Sequence, residues 1–129
     1  MTKIEALYSF FSSFGIPAYE ENSVYAMAES GQTPTFPYLT VEIKTDSFGE
    51  SDTFISFSLW YRSMVWTDID AKSAQIAKAI GRVGKFVDYD GGSILIMRSS
   101  PWAQAMGDSS DDMVKRYLHS LKLRFYSNN

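Results

Sequence analysis

No cysteine occurs in the chain, which excludes disulfides, thiolate nucleophiles and cysteine zinc sites and suits a reducing compartment. Histidine is nearly absent too. His119 is the only one, and a lone histidine is more often structural or solvated than catalytic. Positive charge is in deficit, with 12 Lys and Arg against 15 Asp and Glu and a formal charge of -3. Neutralising a run of phosphates takes a basic face, so tight nucleic-acid binding is disfavoured, although a local basic patch remains open. No window is apolar enough for a membrane span and no basic segment leads into an apolar run, so the chain reads as made and kept in a cytoplasm.

Catalytic patterns are missing as well. No Gly-x-Ser-x-Gly surrounds any serine, and Lys85 after Gly84 lacks the spacing of a phosphate loop. Asp88 with Asp90, and Asp111 with Asp112, are the tight acidic groups; solvated turns explain them better than metal binding or divided acid and base roles.

What is present is a heavy aromatic load, 16% of 129 residues, in a chain long enough to bury one real core. Its organising stretch runs from Asp52 to Gly84. In Thr53 to Arg62 the residues Ile55, Phe57, Leu59 and Tyr61 alternate onto one strand face. Phe54, Ser56, Ser58, Trp60 and Arg62 fall on the other, a mixed face that is neither plain solvent surface nor a second full core. Thr67 then starts a helix with its hydroxyl as cap and Asp68 and Asp70 in the first turn. Ile69, Ser73, Ile76, Ala77 and Ile80 face inward and Gly84 terminates it.

Before this stretch, Thr2 and Glu5 form a capping box, and Ile4, Leu7, Tyr8, Phe11 and Phe14 trace one helical face, aromatic enough for a partner-binding surface but better explained as packing on the domain's own sheet. Gly15 and Pro17 stop that helix. Ala18 to Phe36 holds a weak strand candidate at Ala18 to Glu20 and an apolar patch at Val24 to Ala28. The sequence otherwise predicts a long loop at about 20–36, as either a flexible linker or a segment that orders against a partner. Leu39, Val41 and Ile43 alternate with Thr40, Glu42 and Lys44, predicting a strand with one buried and one wet face. The polar turn from Asp46 to Asp52 joins it to the central strand as a hairpin.

Beyond the second helix, Phe86, Val87 and Tyr89 lead into Asp90-Gly91-Gly92 and out through Ile94, Leu95, Ile96 and Met97, a tight hairpin. Ser99 to Asp108 reads as a loop carrying Trp102 and Met106, which either tuck over the core or anchor another subunit. Ser109 to Arg116 opens as a helical turn or an edge strand. Leu121, Leu123 and Phe125 alternate with Lys122, Arg124 and Tyr126 in a last strand with a basic outer face. The fold class is α+β: one domain, a mostly antiparallel sheet of about five strands, two helices packed on one face.

Five segments together resemble a family. They are Pro37-Tyr38-Leu39-Thr40-Val41-Glu42, Ser58-Leu59-Trp60-Tyr61-Arg62-Ser63, Tyr89-Asp90-Gly91-Gly92, Ser100-Pro101-Trp102-Ala103-Gln104 and Ser110-Asp111-Asp112-Met113-Val114-Lys115-Arg116. In order and spacing, from about Ile16 to Phe125, they are similar to small neck or tail-completion proteins of phages and prophages of Gram-positive bacteria. The nearest functional type is the tail terminator of long-tailed phages. The stretch from Tyr25 to Pro34 is longer than that pattern. The resemblance implies a structural virion protein at the tail–head junction, made in the bacterial host cytoplasm, without catalytic residue, metal or cofactor. It implies a self-associated ring, expected to be a hexamer, that caps the tail tube, stops its growth and meets the head connector protein. DNA would pass through the ring without specific binding, which suits a mildly acidic chain.

Each subunit of a closed ring needs two different contact surfaces, so apolar residues are expected outside its core. Trp60, Trp66, Trp102 and Met106 are the apolar candidates. Arg62, Lys115, Arg116 and Arg124 are expected to meet acidic neighbours. Two alternatives stay open: a head-side connector or stopper ring of the same neck, and a small-molecule binding protein or enzyme with a pocket around His119 or Asp88.

Overall fold

The computed structural model describes residues 1–44, 52–108 and 110–127. Its chain order is helix α1 (Lys3–Phe11) with a 3-10 turn (Ser12–Phe14), strand β1 (Ala18–Glu20), helix α2 (Glu21–Glu29) and strands β2 (Tyr38–Glu42) and β3 (Thr53–Arg62). Helix α3 (Thr67–Ile80) and strands β4 (Lys85–Tyr89), β5 (Gly92–Asp108) and β6 (Asp111–Ser127) follow. The six strands form one curled sheet, a half-barrel, in the order β1-β2-β3-β6-β5-β4. Only β1 and β2 run parallel. The α+β class and the mostly antiparallel sheet are as expected, with one strand and one helix more.

The period-two pattern of β3 does what its residues dictate: Ile55, Phe57 and Leu59 are buried and register with Leu121, His119 and Tyr117 of β6. On this face α1 and α3 lay their apolar stripes. The Thr2–Glu5 capping box forms, with Glu5 N–H donating to Thr2 Oγ1 at 3.2 Å and Thr2 N–H donating to Glu5 Oε1 at 3.1 Å. The buried residues of α1 are Ala6, Leu7, Phe10 and Phe11, and Phe11 meets Phe57 at 5.4 Å between ring centroids. Ile4, expected inward, is exposed, because the face that meets the sheet is rotated toward Phe10. In α3, Ile69, Ser73, Ile76 and Ile80 are buried as expected. Trp66, not Thr67, stands at its cap position, with helical backbone angles and no side-chain cap bond. The helix ends at Gly81 (φ +76), three residues before Gly84. Gly84 serves another need: a Cβ there would lie 2.8 Å from the Ile96 carbonyl oxygen.

Three stretches depart from expectation. The first is the predicted 20–36 loop, of which Glu21–Glu29 is α2, joining the parallel strands β1 and β2. Glu20 caps it by accepting from Ser23 N–H at 3.1 Å. Val24 and Met27 are only half-buried, too small an apolar stripe to announce a helix in the sequence.

Second, β2 has no wet face over its first residues: Tyr38 and Thr40 are buried along with Leu39 and Val41, under aromatic neighbours on the outer side. Third, the expected loop Ser99–Asp108 is the far half of β5. A register break between Arg98 and Ala103 absorbs Pro101 and brings Trp102 against the core. From Asp111 onward the chain is an interior strand, β6, paired to β3 on one side and β5 on the other. The 46–51 part of the expected Asp46–Asp52 turn, and Ser109, lie outside the described residues.

Candidate functional site

The side of the sheet opposite α1 and α3 is built from the alternate residues of the same strands. Its main feature is one row across four strands: Tyr38 registers with Trp60, Trp60 with Arg116, and Arg116 with Met106. Tyr38 and Trp60 stack at 6.0 Å with 12° between their planes, and the Arg116 guanidinium lies 4.7 Å from the Trp60 ring centroid. Trp60 Nε1–H donates to Thr40 Oγ1 at 2.9 Å, and Arg116 Nε–H donates to Ser58 Oγ at 3.1 Å. Phe36 and Tyr19 close over Tyr38 at 5.2 and 6.1 Å. The row is therefore held together by ring stacking, a cation–π contact and two side-chain hydrogen bonds. Trp60, Met106, Gly107, Asp108, Val114 and Arg116 line a shallow concavity at its end.

Farther along the same face Phe54 is 60% exposed, Phe86 57% and Tyr126 42%. Phe86 and Tyr126 lean on each other at 6.0 Å. Phe54 registers with Lys122 of β6, and Phe86 with Leu95 of β5, which itself registers with Arg124, so a pair of exposed rings and a single one stand on this face with charged β6 side chains between them.

The eight residues singled out in the sequence separate into groups. Trp60, Arg116 and Met106 come together in the row. Arg62 lies at the end of β3 in an ion pair with Asp111, which holds that carboxyl below its ordinary range. Arg124 is paired with Asp52 through Nε at 2.8 Å and a second nitrogen at 3.2 Å; this lowers the Asp52 pKa and raises that of Arg124. Both arginines thus meet acidic residues of their own chain.

Trp66, Lys115 and Trp102 are on the helix side. Trp66 stacks on Tyr117 at 5.4 Å, and buried Lys115 sits 5.4 Å from the Trp66 ring while donating to the Asp112 carbonyl. Tyr117 O–H donates to Asp70, which pushes its pKa up to about 12. Trp102 is half-buried against Phe57 at 5.8 Å and His119 at 4.8 Å, the outcome in which it tucks over the core.

His119 itself is wholly inaccessible, stacked on Phe57 at 4.3 Å with its Nε2 2.8 Å from Ser73 Oγ. Burial lowers its pKa to about 4, against the pull of the Tyr117 and Phe57 carbonyls, so the ring is neutral at pH 7. Its Nδ1 has no partner among the described residues. A serine and a histidine at this distance are reminiscent of a nucleophile and base, but the pair is a polar link inside the core, closed in by aromatic rings. Among the described residues no group of His, Asp and Glu gathers as a metal site, and no helix is long and apolar enough to cross a membrane.

Sequence reasoning found Trp60 through the mixed face of β3 and named Arg116 and Met106 without seeing that they align. It missed Tyr38, Phe54, Phe86 and Tyr126, whose strand parity was readable but whose partnering across the sheet was not. No protein-family model, no curated protein and no solved structure matches this chain.

Proposed function

We propose that this chain is the repeating subunit of a ring at the tail–head junction of a long-tailed phage, of the tail-terminator type. In this reading it caps the tail tube, stops its growth and presents a surface to the head connector, and DNA passes through the ring without specific binding. The observation that carries the reading is the outer sheet face, which holds the Trp60–Arg116 row toward one end and the exposed Phe54, Phe86 and Tyr126 toward the other. A free monomer has no use for such a face, whereas a ring subunit, with a tube on one side and copies of itself on the others, has several. The acidic net charge of -3 fits a channel lining that must not hold DNA. The resemblance of the five segments supplies the type of ring.

The test is electron microscopy of particles from a phage or induced prophage lacking this gene. Tails of uncontrolled length, detached from DNA-filled heads, are the expected result. Tails of normal length beside heads that have lost DNA would move the chain to the head-side stopper, and normal infectious particles would end the reading.

A further inference from the structure

The outer-face row has a complementary surface on the same chain. Helix α2 is the one α-helix of the described residues with no buried residue. Its exposed residues include Asn22, Tyr25, Ala26 and Glu29, whose spacings of three and four put them on one side of the helix. Tyr25 is 62% exposed. The helix carries Glu21 and Glu29 and no basic residue, and neither glutamate is in an ion pair among the described residues.

The receiving end has the opposite character. Arg62 and Arg124 are neutralised by Asp111 and Asp52, but Arg116 meets no carboxylate among the described residues and is bound only by Trp60 and Ser58. A guanidinium held over an indole and hydrogen-bonded through Nε to a serine has already given up much of its rotamer freedom, so an incoming carboxylate gains a charge-assisted bond at small further entropic cost. Met106 and Trp60 beside it provide the apolar floor of the concavity. Asp108, at its rim, is engaged by the amide and hydroxyl of Ser110 at 2.8 and 2.7 Å.

We infer that α2 of one copy docks on this row of the next, with Glu29 on the Arg116 guanidinium and Tyr25 against Met106 and Trp60. The two surfaces lie at different places on the chain, α2 beside β1 and β2, the receiving site on β3, β6 and β5. On the ring reading the contact repeats head-to-tail, the type that closes rings or propagates filaments, rather than being made twice across a two-fold axis. The inference rests on the ring reading for its closure and names the contact that reading leaves open.

The test is charge exchange, with association read by sedimentation of the purified full chain. The wild type is expected to self-associate with rising concentration. Arg116→Glu and Glu29→Arg should each weaken association by tenfold or more, roughly the smallest effect expected for a close interfacial charge pair, and the double variant should restore most of it. Because the chain has no cysteine, a Tyr25→Cys, Met106→Cys double variant gives a second readout on two surface positions. Oxidation should produce a ladder of covalent multimers, while an equimolar mixture of the single variants should stop at dimers.

Single charge variants that associate like the wild type, a double variant as dissociated as the singles, or a wild type monomeric up to about 1 mM would each overturn this contact. Those results leave the ring itself to be judged on particle tails, so the two failures are separable.

Discussion

His119 and Ser73 form a buried polar pair whose energetics should be visible in pH. The histidine has a folded-state pKa of about 4 against an ordinary 6.5, so between these values the unfolded chain binds a proton that the folded chain refuses. Stability is therefore full above pH 6.5 and should fall as pH drops to about 4, by about 3 kcal/mol in total. Asp52 and Asp111, held low by Arg124 and Arg62, act in a different window: their contribution is present above the ordinary carboxylate pKa and is lost below it. Urea denaturation between pH 7 and 4 checks this, and His119→Phe, which keeps a ring on Phe57, should flatten the slope. Glycines make a second contrast. A Cβ at Gly92 would lie 1.9 Å from the Tyr126 carbonyl oxygen, whereas Gly91 (φ +100) has open space around it. Gly92→Ala should cost about 3 kcal/mol through overpacking against backbone, and Gly91→Ala about 1 kcal/mol through its backbone angle alone. Equal losses in thermal melts would contradict this.

At the scale of elements, what was legible in the sequence is what local period dictates. The alternation of β3, the inward residues of α3 and the Thr2–Glu5 cap could be read because each depends on neighbours along the chain. Helix α2 could not, because its Glu20 cap is unusual and Val24 and Met27 bury too little to leave a stripe. The far half of β5 was hidden by Pro101, a residue that argues against a strand until a register break accommodates it. The outer-face row was half legible: strand parity put Trp60 on the right side, but only the register of four strands aligns it with Tyr38, Arg116 and Met106, and register is a tertiary fact. A consequence for α2 follows from its shallow seat. Val24→Ser should leave overall stability within about 1 kcal/mol, while hydrogen exchange at the α2 amides should rise well above that of α3, which packs Ile69, Ile76 and Ile80 into the core.

For the whole molecule, the sheet divides the protein into a side that maintains the fold and a side free to meet partners. Replacing Phe54 and Phe86 together by serine should change unfolding free energy by no more than about 1 kcal/mol, since both rings already face solvent. If the chain is the ring subunit proposed above, the same double variant should abolish tail capping in a complementation assay with gene-deleted particles; normal tails from a folded variant would remove these rings from any contact. The division also has a consequence in time. Strand β3 pairs with β6 from Thr53–Leu123 to Arg62–Val114, so the partner of Thr53 emerges from the ribosome 70 residues later (123 minus 53), a wait of roughly 4 to 14 s at ordinary synthesis rates. For those seconds β3 has β2 beside it but lacks its β6 partner, and Phe57 lacks the His119 ring that stacks on it in the folded protein. The nascent chain is then a natural client for a holding chaperone until β6 arrives to close the sheet.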